Sequence, residues 1–205
     1  MNMTATARQI PTKRERNKAS NRAALLAAAR AVFAEMGYGA ASVRDIIRRT
    51  DLAAGTFYNY FTDKQTIFRA VVEQIANELR ERHASGRKTA TTAEQFVYGS
   101  FKAYFTFIAE DPDLVSLSRL SAGAIRTLLD QPEITPLFDE LRGDLRDAIR
   151  RGLLPDVDLE YLASAMIGIA FEVSMIMVAR DPVDPDAATE FAGRLVLSGV
   201  LGSKA

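Results

Sequence analysis

The 205-residue sequence predicts an all-α fold of about nine helices: an N-terminal three-helix domain containing a helix-turn-helix, then a larger helical domain. Apolar residues recur at three- and four-residue spacings along most of the chain. Neither an alternating run of β type nor an internal repeat interrupts them. Helices are separated by capping residues, glycines and Asp-Pro pairs beginning at Asp111, Asp181 and Asp184, because proline can open a helix but not sit inside one.

The first helix is predicted from Asn21 to Met36, with Leu25, Leu26, Ala29, Val32, Phe33 and Met36 as its apolar stripe, Ser20 as cap and Gly37 as terminator. Ser42 and Asp45 have the spacing of a capping box and open a short helix from Val43 to Thr50. After a break at Asp51–Ala54, a second short helix runs to about Tyr60. Within that break Asp51 is expected in the left-handed conformation, and Ala53 offers no side-chain cap. Thr62 and Gln65 form a further capping-box pattern and open a long helix to about His83, with Ile67, Phe68, Val71, Val72, Ile75 and Leu79 facing inward.

The polar segment HASGRKTATTA reads as a connector and sets the expected boundary. Residues 1–18 are then a basic flexible arm, 19–84 the helix-turn-helix domain and 85–205 the second domain. Helices there are predicted over Ala93–Glu110, Pro112–Ser121, Ala124–Leu129, Glu133–Arg151, Asp158–Arg180 and Pro185–Leu201.

With 48% hydrophobic and 25% charged residues, the composition is that of a soluble globular protein. Absence of cysteine excludes disulfides, thiolate metal sites and cysteine nucleophiles. The first twenty residues lack an apolar signal core, which points to the cytoplasm. Zero net charge conceals a division: residues 1–85 carry 14 Lys/Arg against 8 Asp/Glu, and the remainder 12 against 18. A basic front and an acidic back suit a chain whose first part alone approaches phosphates.

The stretch GTFYNYFTDKQTIF, Gly55 to Phe68, sets four rings within five positions. Its pattern Gly55-Thr56-Phe57-Tyr58-Asn59-Tyr60-Phe61, then Asp63-Lys64, follows a Ser42-capped helix and a turn. This order resembles the DNA-binding domain of the tetracycline-repressor (TetR) family of bacterial regulators over about residues 18–68. The resemblance implies a dimeric transcriptional regulator, most simply a repressor on a palindromic operator in double-stranded DNA. It also implies an all-α regulatory domain holding a small-molecule effector, and a DNA-reaching role for Arg44. One departure is Thr50-Asp51-Leu52-Ala53, where the family usually has Ala-Gly-Val-Ser.

Residue chemistry supports the DNA reading independently. Gly55 offers no side chain to obstruct close approach, and Thr56 suits a phosphate or a thymine methyl. Tyr58, Asn59 and Tyr60 fan across a groove, Asn59 being able to pair with adenine through two hydrogen bonds. Ser42 combines cap and phosphate donor, while Lys64 would clamp a phosphate at a positive helix end. Phe57 and Phe61 turn inward. For Lys13, Arg14, Arg16 and Lys18, a minor-groove arm and a disordered tail are equal readings.

In the second domain, Phe101, Tyr104, Phe105 and Ile108 form a helical stripe that Leu117, Leu120, Phe138, Leu141, Met166, Phe171 and Met175 can face. Ordinary core accounts for this pattern; the family resemblance implies a pocket, whose adaptable walls would suit a lipophilic effector. Tyr161 to Ala179 contains one charge, Glu172, and approaches the length of a membrane span, but lacks orienting positive flanks. A homodimer pairing this helix with the last one, through residues such as Leu195 and Val196, covers the surplus apolar surface. Glu172 either faces a polar pocket wall, pairs across the dimer, or meets a cation such as Arg119.

No nucleophile motif, phosphate loop or metal-ligand cluster accompanies the lone His83, so neither catalysis nor a cofactor is expected. A helical protein–protein adaptor is the alternative; it would explain the apolar helices but not Gly55 to Lys64.

Overall fold

The structure, a computed structural model, describes residues 12–129 and 138–202. Among these it contains nine helices and no strand: α1 Lys13–Ala40, α2 Val43–Arg48, α3 Ala54–Tyr58, α4 Lys64–Thr89, α5 Ala93–Ala109, α6 Pro112–Leu129, α7 Asp139–Arg150, α8 Leu159–Val178 and α9 Pro185–Leu201.

Helix α1 starts at Lys13, earlier than Asn21, because Thr12 and Glu15 complete a capping box ahead of Ser20. Lys13, Arg14, Arg16 and Lys18 are therefore helical; residues 1–11 of the expected arm lie outside the described residues. Gly37 breaks α1 near its end with φ +71°, a region costly to any other residue. The Ser42–Asp45 box forms as expected, with the Asp45 amide 3.3 Å from Ser42 Oγ and the Ser42 amide 3.0 Å from Asp45 Oδ2.

At the turn between α2 and α3 no residue other than glycine has positive φ, so Asp51 is not left-handed. Thr50 organises this turn instead: its hydroxyl donates to the Ile47 carbonyl (2.9 Å) and accepts from the Leu52 amide (3.3 Å). Helix α4 is capped by Asp63, not Thr62, since Asp63 accepts the Thr66 amide at 2.7 Å and an ionised carboxylate is the stronger acceptor. It continues past His83 to Thr89 and shortens the expected connector to a few residues. Predicted helices at 112–121 and 124–129 are one helix, α6, kinked at Ser121. The first turn expected for the next helix lies outside the described residues; its observed part begins at Asp139.

Two cores form. The first joins Leu25, Ala29, Val32 and Phe33 of α1 with Ile46, Phe57, Phe61, Ile67, Phe68 and Val71; full burial of each large side chain is worth about 1.5–3 kcal/mol. Phe96, Val97, Phe105, Leu145, Ala163, Met166 and Ala192 lie in the second. Between them the division is incomplete, because Leu117 and Leu128 of α6 are buried in the first core. At that junction the Tyr38 amide donates to Ser121 Oγ (3.0 Å), and Arg30 pairs with Glu78 (2.9 Å) and Asp111 (2.5 Å).

Helix α8 buries Leu162, Ala163, Met166, Phe171, Ser174, Met177 and Val178, while Tyr161, Ala165, Glu172 and Ile176 form an outward stripe. Phe191 and Leu195 of α9 are likewise exposed. Val196 is not a surface position: it is buried within the subunit. By length and composition α8 could cross a membrane, yet its inner face is packed into the second core.

Candidate nucleic-acid interface and apolar cavity

The helix-turn-helix presents one side chain after another to solvent. Ser42, Arg44, Gly55, Tyr58 and Asn59 are exposed; Thr56 and Tyr60 are half-buried. Phe57 and Phe61 are buried with ring centroids 5.9 Å apart, so the four rings divide into two that anchor the helix and two, Tyr58 and Tyr60, that reach its surface. Tyr58 is 62% exposed, an unusual position for a large ring with no duty inside the protein. Gly55 has no internal reason to be glycine: its backbone has no positive φ, and an added Cβ would meet nothing within 4 Å. Ala53 supplies no cap to α3, leaving the first amides of that helix without a side-chain acceptor.

Lys64 is placed differently from the phosphate clamp expected of it. Its ammonium donates to the carbonyls of Tyr38 (2.7 Å), Ala41 (2.8 Å) and Gly39 (3.4 Å), and stands 4.4 Å from the Tyr38 ring centre. All three of its donors are used at the C-terminal end of α1, where lone carbonyls and the helix dipole favour a cation. Lys64 thus fastens the start of α4 to the end of α1. The Asp45 carboxyl is held below its ordinary range by the Ser42 hydroxyl and amide, and that of Asp63 by the Thr66 amide and hydroxyl, so both carboxylates are charged at neutral pH.

Between the two cores, α4, α5, α6, α7 and α8 surround a cavity of about 230 Å³. Among the residues expected there, Phe101, Tyr104, Ile108, Phe138, Phe171 and Met175 line it. Three do not. Phe105 is fully buried behind the wall, stacked 6.0 Å from Phe101. Arg119 is exposed on α6. Glu172 faces solvent and pairs with Arg126 (3.1 Å) rather than Arg119, which removes the cost of burying a lone carboxylate. Leu120, also expected inward, lies instead where α6 passes Gly37 of α1, and its side chain is left exposed.

Sequence reasoning missed the contribution of α4: Val72, Ile75, Ala76 and Leu79 line the cavity, together with Arg80 and Arg87. The continuation of its apolar stripe beyond the first core was the available signal. Tyr104 places its hydroxyl 3.4 Å from Ser174 Oγ, and Ser174 donates to the Phe171 carbonyl; burial pushes the phenol's pKa up, against the smaller opposing effect of that hydrogen bond. Among the described residues no group of His, Asp or Glu side chains could hold a metal ion.

An exposed short helix after a tight turn, set on a three-helix core and joined to an apolar cavity, defines a helix-turn-helix regulator. Residues 25–71 match the family described as "Bacterial regulatory proteins, tetR family". The HTH-type transcriptional repressor KstR2 of Mycolicibacterium smegmatis is 32% identical over 149 residues, 70% of this chain and 73% of that protein. The HTH-type transcriptional activator FasR of the same species is 25% identical over 175 residues, 82% of this chain and 78% of that protein. Among solved structures, the transcriptional regulator FadR from Bacillus subtilis in complex with stearoyl-CoA aligns with TM-score 0.73 and 24% identity, covering 87% of this chain and 98% of that one. This chain belongs to the tetR family of bacterial regulatory proteins. It is a DNA-binding transcriptional regulator, of a family that is not enzymatic.

Proposed function

We propose that the protein is a cytoplasmic repressor that binds a palindromic operator as a homodimer and is released by a small lipophilic effector. The observation that carries this reading is the shared use of α4: its first turn fastens the DNA-reading unit, and its later turns line the apolar cavity. A molecule in the cavity and DNA on α3 therefore act on one helix, and an effector that favours one seating of α4 shifts the protein between DNA-binding and released forms.

In this reading residues up to about the middle of α4 form the DNA-binding domain and the rest the effector domain, with α6 packed on both. Thr56, Tyr58, Asn59 and Tyr60 face the groove, Ser42 and Arg44 meet the flanking backbone, and Lys64 acts by positioning. Exposed Tyr161, Ile176, Phe191 and Leu195 supply the subunit contact. Two subunits space their α3 helices by about 34–36 Å, one turn of DNA. The resemblance to a protein solved with stearoyl-CoA supports an amphiphile with a hydrocarbon body as effector.

The test is selection of a duplex from random sequence, followed by titration at several salt concentrations. Tyr60→Ala should weaken binding to every sequence, and Asn59→Ala should relax preference at one base pair by about 1–3 kcal/mol. Unchanged duplex binding in both variants would sink the assignment of α3.

A further inference from the structure

The breaks in α1 and α6 abut one another. Gly37 interrupts α1 at φ +71°, and Ser121 interrupts α6 at φ −123° and ψ 15°. A Cβ added to Gly37 would stand 2.7 Å from the Leu120 carbonyl oxygen, so the two backbones touch where each leaves its helix. The Tyr38 amide, the first after the α1 break, donates to Ser121 Oγ at 3.0 Å, and Ser121 is buried. At so close a contact this hydrogen bond fixes the register of one backbone on the other.

Tyr38 to Ala41 lead straight into the Ser42-capped α2, so this strap carries the DNA-reading unit. Lys64 holds the strap to the start of α4, within that unit. Ser121 instead ties it to α6. Beyond its break α6 reaches α8, where Arg126 pairs with Glu172 (3.1 Å) and lies 5.8 Å from the Phe171 ring centre. Glu172 stands in the outward row of α8 with Tyr161 and Ile176, the row assigned above to the subunit contact. A second polar tie, from Arg30 to Asp111 at the start of α6, lies about 12 Å earlier along α1. Two ties fix an orientation; one leaves a pivot, because the apolar packing of Leu117 and Leu128 beside it is non-directional.

We propose that Ser121 is a positioning residue for operator binding: it sets the pose of α2 and α3 relative to the subunit contact, and through that pose the separation of the two α3 helices in the dimer. It meets no DNA and reads no base. This inference rests on the homodimer and palindrome proposed above.

Fluorescence-anisotropy titration of the full chain tests this with the palindrome obtained by selection and with the same duplex carrying one base pair more or one fewer at its centre. One pair changes the half-site separation by about 3.4 Å and the rotation by about 35°. For the native protein either change should weaken binding at least about tenfold. Ser121→Ala removes the acceptor; it should bind the original palindrome about fivefold more weakly, the worth of one hydrogen bond, and lose less than about threefold further on either altered duplex. Its preference at each base pair of the half-site should be unchanged. Gly37→Ala pries the same contact apart and should flatten the spacing dependence likewise; it carries the test should Ser121→Ala fail to fold in circular dichroism. Val97→Ala, a large-to-small change in the second core, should lower the thermal midpoint and keep the native spacing dependence. A native spacing dependence in the folded joint variants, or an equal flattening in Val97→Ala, overturns the role of Ser121 and leaves the dimer reading in place. Native protein that binds all three duplexes equally overturns the palindromic dimer as well.

Discussion

Replacing Gly37 with alanine should cost about 3 kcal/mol, and each part of that figure has a structural origin. At φ +71° and ψ 163° the backbone occupies a region essentially reserved for glycine, where another residue costs about 1–3 kcal/mol. An alanine Cβ would also stand 2.7 Å from the Leu120 carbonyl oxygen and 3.0 Å from Leu120 Cβ. That oxygen belongs to the α6 backbone, so relief requires α1 and α6 to separate. Separation stretches the hydrogen bond from the Tyr38 amide to Ser121, itself worth about 1 kcal/mol. For a chain of this length the total lowers Tm by about 6–12 °C. Gly39→Ala is the internal control: no atom lies within 4 Å of the added Cβ, and its φ is not positive. There the substitution should be neutral or stabilising by about 0.5–1 kcal/mol. Urea titrations and thermal melts of both variants by far-UV circular dichroism measure the pair. A Gly37→Ala loss below about 1 kcal/mol would mean that the positive-φ backbone is not strained by a side chain, since that strain alone should exceed it.

Lys64→Met should lower stability by about 1–3 kcal/mol, because three carbonyls lose their donor. Its plot of log affinity for DNA against log salt should keep the native slope, whereas loss of a phosphate contact would reduce that slope by about one. Phe191→Glu and Leu195→Glu, both on exposed positions, should give folded monomers in light scattering with weak operator binding. Val196→Glu, which buries a charge inside the subunit, should instead unfold the chain in circular dichroism. Tyr104 holds its phenolic proton more tightly in the folded chain than in the unfolded one. Its stabilising contribution is therefore complete below the ordinary tyrosine pKa of about 10 and declines as pH rises through the raised folded value. Urea midpoints between about pH 8 and 11 should fall less steeply for Tyr104→Phe than for the native protein.

Much of the DNA-reading half is legible from local chemistry. The Ser42–Asp45 box, the inward Phe57 and Phe61 and the missing cap at Ala53 all depend on residues within a few positions of one another. Where two local solutions compete, spacing does not choose between them. Thr62 and Asp63 are adjacent candidate caps, and the charged acceptor wins. Thr12 and Glu15 had the same signature as Ser42 and Asp45, and reading the basic residues beyond them as an arm hid it. Lys64 was misread for another reason. Its partners Tyr38, Gly39 and Ala41 lie more than twenty residues earlier, and no periodicity reveals such a contact. The cavity was half legible: an aromatic stripe on α5 marks one wall, but the same stripe would serve a filled core. Glu172 shows the limit of a hydropathy argument, since an apolar helix can keep one solvent-facing row, and that row holds the charge.

Helix α4 also constrains how this protein could acquire a new specificity. Lys64 and Arg80 are separated by about 24 Å of rigid helix, so a tilt of about 5° at one end displaces the other by about 2 Å. Changes at Val72, Ile75 or Leu79 alter the cavity and the seating of that lever together. Changes at Phe101, Met166 or Met175 reshape the cavity from α5 and α8, which do not carry the reading head. If the cavity holds the effector as proposed, drift in what is sensed should accumulate on those two helices, while α4 varies slowly, held by two duties at once.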